Sequence, residues 1–141
     1  MYFYSEIVND LLEEFPEIST NYAEEITWIK EAFQDQETAG QTIYFDRCFC
    51  DFIGRLLIDE RQDNIKIEKV FAFLEKMALS EDREVRNLLQ VTVLEYLRSW
   101  HLLQSKAEKL MLPETKKIFE YVKSYLQEPP QDAIVWGLKQ D

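Results

Sequence analysis

Glycine, proline, cysteine and histidine are all scarce in this chain of 141 residues, at three, four, two and one. So few glycines and prolines cannot supply the turns of an all-β sandwich or barrel, and they point instead to long helices with short connections. Two cysteines, Cys48 and Cys50, offer no disulfide framework. Two apart on a helix they diverge by about 200°, so the expectation is two reduced thiols with Cys48 in the core. The single histidine, His101, has no Glu-x-x-His or His-x-x-x-His spacing around it, and zinc or carboxylate-bridged di-iron chemistry has no ligand set. Asp59 to Glu68 alternates acids but lacks the central glycine of a calcium loop. Phosphate loops, nucleophile elbows and basic aromatic patches are missing too. No apolar run approaches the roughly 20 residues of a membrane helix. The opening stretch MYFYSEIVNDLLEE has neither a basic n-region nor an apolar h-region. These absences lead us to expect a soluble cytoplasmic binding protein rather than an enzyme, with no catalytic residue, cofactor or metal.

What the chain does have is core-forming material. Hydrophobic residues make up 46%, with nine Phe, seven Tyr and three Trp, enough for one domain spanning 1–141. The longest apolar pattern runs from Glu84 to Trp100. There Val85, Leu88, Leu89, Thr92, Val93, Tyr96, Leu97 and Trp100 recur at helical spacing, with Val91 and Leu94 apolar on the opposite side. A helix apolar on more than one face is usually wrapped by others, so this segment is expected to be the central helix, capped by Ser80.

The other helices follow by the same reasoning. Ser5 caps a first helix over about 5–15, which Pro16 ends. A second starts near Ser19 or Asn21 with Tyr22, Ile26, Ile29 and Phe33 inward. Residues 35–42, DQETAGQT, read as a loop around Gly40. A third helix spans about 43–59 and a fourth about 65–79, burying Ile67, Val70, Phe71, Leu74 and Met77. After Trp100 the pattern loosens, and Pro113 starts a last helix. The tail 131–141 carries Ile134, Val135 and Trp136 and is expected to dock. The fold class is therefore all-α, an irregular bundle or a short HEAT-like stack of about six helices.

Charge is the functional clue. The formal net charge is −11. Residues 1–64 hold fifteen acids against four bases, whereas residues 65–141 hold twelve of each. Such a field repels nucleic acid phosphates and anionic lipid and attracts a basic protein. The candidate partner-binding residues are Glu13, Glu14, Glu17, Glu24, Glu25, Asp35 and Glu37. Glu95, beside the apolar arc of the central helix, reads as a partly buried structural carboxylate.

Phe73 to Leu97, FLEKMALSEDREVRNLLQVTVLEYL, and Leu112 to Leu126, LPETKKIFEYVKSYL, together with Phe15-Pro16-Glu17-Ile18, resemble a poorly characterised family of small acidic helical bacterial proteins of immunity type. Members are found beside polymorphic or contact-dependent toxins. The resemblance implies a helical, HEAT-like immunity protein and carries over no catalytic residue. Taken with the acidic charge, it makes the leading expectation an immunity or antitoxin-like protein that binds and neutralises a basic toxin domain, such as a nuclease. The other reading is a helical interaction or regulatory scaffold module with no toxin partner.

Overall fold

A computed structural model describes residues 4–59, 61 and 63–127, without the side chains of residues 5 and 37–39. Every regular element among them is helical, as composition and periodicity led us to expect. The tail 131–141 and any capping by the Ser5 side chain lie outside the described residues.

A single 3₁₀ turn, Tyr4–Glu6, leads into α1, Ile7–Glu14, whose N-cap position is Glu6. Pro16 does end α1, through Phe15, but it also opens the next helix at once. α2 is Pro16–Asn21 and α3 is Ala23–Ala32, hinged at Tyr22. Proline suits the first helical position because the amide it lacks would have no partner there. The sequence reading placed the second helix a few residues too late for that reason.

Of the loop expected at 35–42, only residues 35 and 36 lie outside a helix. α4, Glu37–Tyr44, runs without a break through a π turn, Phe45–Phe49, into α5, Cys50–Ile58. Gly40 is buried, and a Cβ there would stand 3.3 Å from the Cβ of Phe33. It serves close helix approach between α4 and the end of α3, not a turn. After the turn near Asp59, α6, Asn64–Ala78, buries all five residues expected of it and Phe73 besides. α7, Arg83–Leu88, passes through a second π turn, Leu89–Leu94, into α8, Glu95–Arg98. Its cap is Asp82, not Ser80: Asp82 Oδ1 accepts from the Glu84 amide at 2.9 Å, while Oδ2 accepts from the Tyr4 amide at 2.8 Å. Ser80 Oγ instead supports Asp82 by accepting from its amide. Trp100 takes an extended conformation and separates α9, His101–Glu108, from α8. α10, Pro113–Tyr125, starts at the expected proline.

Within the two π turns the wider winding changes which residues face inward. In the second, Val93 and Leu94 are buried, Thr92 is half-buried and Val91 is 47% exposed. Leu94 therefore belongs to the core face, not the opposite one. The two π turns pack on each other. Where they meet, Cys50 Sγ donates to the Thr92 carbonyl oxygen at 3.5 Å. Both thiols are free and fully buried. Cys50 joins Cys48 inside because α4 and α5 are as fully wrapped as the segment 83–98, so the core has two central helices rather than one.

Phe15, at the end of α1, sits at the aromatic centre of this core. Its ring lies 5.9 Å from Phe49, 5.5 Å from Phe52 and 5.9 Å from Phe73, in tilted and edge-on arrangements, which favour aromatic pairs beyond their buried area. Charged residues from the second half of the chain then satisfy helix ends. Glu75 on α6 accepts from the Glu114 and Thr115 amides, at 3.0 and 2.8 Å, and from Thr115 Oγ1. An acid at the positive end of α10 is favoured by the helix dipole. Lys106 Nζ donates to the Leu57 carbonyl, and Lys69 Nζ to the Glu14 carbonyl, at the negative ends of α5 and α1.

Candidate partner-binding surface

The acids singled out from the sequence divide between two places. Glu13 and Glu14 lie on α1 and Glu17 on α2, close to lysines of α6. Lys66 Nζ is 3.2 Å from Glu17, Lys69 Nζ is 3.7 Å from Glu14, and Lys76 Nζ is 3.8 Å from Asp10. These lysines belong to the balanced half of the sequence, and folding lays them against the acidic half. The pairs are largely solvent-exposed, so each is worth roughly 0–1 kcal/mol. Their larger effect is to mute the local field. Glu13 is exposed and makes no ion pair among the described residues.

Glu24 and Glu25 lie on α3, and Asp35 in the turn after it. None of the three forms an ion pair among the described residues, and Glu24 and Asp35 are exposed. The side chain of Glu37 lies outside the described residues. Glu13 and Glu14 border a cleft between α1 and α6, whereas Glu25 borders one between α3 and α5.

On α3, Glu24, Trp28 and Glu31 follow one another at spacings of four and three and so share a face. The opposite face buries Ile26 and Ile29. Trp28 is 45% exposed. Its ring meets Phe33 edge-on at 5.8 Å, and the Arg47 guanidinium lies 4.6 Å from its centroid. An exposed tryptophan held on two sides has little conformational freedom left to lose on binding. Sequence reasoning passed over Trp28 and Arg47. The available signal was a tryptophan falling on the polar side of a helix whose inward stripe was already filled.

Beside this face, Asn21, Tyr22, Glu25, Arg47, Asp51 and Arg55 line a cleft of about 550 Å³. Tyr22 Oη donates to Asp51 Oδ2 at 2.6 Å, and Arg55 Nε donates to the same oxygen at 2.8 Å. Burial, then the bond to the Asp51 carboxylate, push the Tyr22 hydroxyl well above its ordinary range. Tyr22 is therefore held as a donor and is a poor base. Burial also pushes the Cys48 thiol up to about 11, and it raises Cys50 well above its usual value. Neither thiol is primed as a nucleophile. Glu95 accepts from Tyr125 Oη at 2.6 Å and is half-buried, which is the structural role expected of it. Among the described residues, no group of three or more His, Cys, Asp and Glu could hold a metal ion, and no helix is long and apolar enough to cross a membrane.

Fold and surface together define an all-helical domain whose outward α3 face combines exposed acids with an exposed aromatic. The chain belongs to the family described as Domain of unknown function (DUF7674), which matches residues 8–127. No curated protein and no solved structure matches it.

Proposed function

We propose that the chain is an immunity- or antitoxin-type protein of the cytoplasm, acting by binding rather than catalysis. Its partner is a basic toxin domain, in the first instance a nuclease, whose phosphate-attracting cleft it blocks. The observation that carries this reading is the face formed by Glu24, Trp28 and Glu31, where acids that form no ion pair among the described residues flank a rigidly held tryptophan. Tryptophan is the residue type most enriched at binding hot spots. Acids around it speed encounter with a positive cleft and suppress other partners. The same face would equally serve a scaffold that has no toxin partner, so the partner's activity decides between the two readings.

The test is to purify the protein in complex with the product of the gene immediately upstream and to assay that product for nuclease activity. The expected result is a basic protein whose cleavage of nucleic acid stops when the helical protein is added in equimolar amount. An acidic partner, or one whose nuclease activity is unchanged by saturating helical protein, would sink the reading. A basic partner with no toxic activity would leave the scaffold function in its place.

A further inference from the structure

A further groove is present besides the cleft next to α3. It lies between α1, the end of α6 and the start of α10, with a volume of about 780 Å³. Ala72, Leu79 and Leu112 supply its apolar surface, and Leu79 and Leu112 are 62% and 41% exposed. Glu6, Asp10, Glu75 and Glu81 line it against a single cation, Lys76. Glu75 is engaged at the N-terminus of α10, and Asp10 is loosely paired with Lys76 at 3.8 Å. Glu6 and Glu81 are exposed and form no ion pair among the described residues.

The groove continues along the α1–α6 seam, because Asp10, Ala72 and Lys76 also line the neighbouring cleft that reaches Glu13 and Glu14. Glu6, Asp10, Glu13 and Glu14 stand at spacings of four, three and one along the chain, which sets them down one edge of the helix. The result is a trough with exposed leucines at one end and an edge of acids along its length, of which Asp10 and Glu14 face Lys76 and Lys69 while Glu6 and Glu13 form no ion pair among the described residues.

We infer that this trough is the docking site for an amphipathic helix of a basic partner, one that carries leucine-like side chains on one stripe and lysine or arginine beside it. The inference rests on the reading of the chain as a binder of a basic protein. Helix-in-groove recognition needs an apolar floor of this kind, and the rim selects positive flanks. A second copy of this chain fits poorly, because it would bring an acidic surface against acids. An anionic lipid surface is repelled for the same reason.

The probe is an amidated synthetic peptide of about fourteen residues with leucine and lysine at helical spacing, compared with one in which serine replaces every leucine. Binding is followed by fluorescence anisotropy at physiological salt. The full chain is expected to bind the leucine peptide about tenfold more tightly than the serine peptide. Leu79→Ser combined with Leu112→Ser should remove that preference. Glu6→Gln with Glu81→Gln should weaken both peptides by a few-fold, with a shallower salt dependence. Leu102→Ser, at another exposed leucine, should change nothing. All of these side chains are exposed, and circular dichroism and melting curves verify folding.

If the leucine double variant keeps the preference, the trough is not the site, while continued binding of the serine peptide leaves the acidic-surface reading standing. If neither peptide binds the wild-type chain, both readings fall. Dimerisation of the wild type that the leucine variants abolish would make a second copy the occupant and overturn the inference.

Discussion

The α1–α2 edge and the outward face of α3 are both acidic in sequence, yet folding treats them differently. Lys66, Lys69 and Lys76 of α6 reach the acids of α1 and α2, while the acids of α3 make no ion pair among the described residues. A charge tally along the chain therefore overstates the first face and understates the second. The lesson is that charge asymmetry identifies a surface only after the packing of distant segments is known.

The largest expected effect removes the scaffold beneath both faces. Leu89 is fully buried where the second π turn begins. Leu89→Ala should cost about 2–5 kcal/mol in chemical denaturation; a loss under about 0.5 kcal/mol would mean that the segment 83–98 is not part of the common core. Next comes the comparison itself. Reversing Glu24, Glu25 and Glu31 to Lys should slow association with a basic partner about tenfold at low salt and flatten its salt dependence. Reversing Glu13, Glu14 and Glu17 should slow it less, since two of those acids already face lysines. Stopped-flow rates against ionic strength check this, and equal effects would show that only total charge matters.

The smallest effect sharpens the contrast. Lys66→Ala with Lys69→Ala should change stability by no more than about 1 kcal/mol, while unmasking Glu14 and Glu17 and so raising the association rate. An unchanged rate would show that the α1–α2 edge takes no part in steering.

Much of the fold was legible in the sequence because single residues act locally. Pro113 marks the start of α10, and the apolar spacing of Ile67 to Met77 marks the buried side of α6. The misreadings arose where a residue has two uses. Gly40 looks like a turn and is instead a point of close helix approach. Pro16 ends one helix and starts the next in the same place. Leu94 was assigned to the wrong face because a π turn breaks the 3.6-residue period. The surface was less legible still. Exposed leucines such as Leu79 and Leu112 are 33 positions apart in the chain, and only the seating of α10 on α6 brings them to one groove. Nothing local to either residue reports that.

The second π turn also bears on how long this chain has to be. An extra residue housed in a π turn is absorbed on the spot, so the helix beyond it keeps its orientation. Remove exposed Val91, and the turn closes to ordinary α geometry with Val85 and Leu89 still aligned with Val93 and Leu97. Take one residue instead from the straight part of α6, and every side chain beyond it rotates by about 100°. The segment 89–94 is thus where a one-residue difference in length between related chains can be accommodated without disturbing the core. What such a shortened chain would give up is the Thr92 carbonyl in its present position, and with it the bond from Cys50, one of several between the two halves.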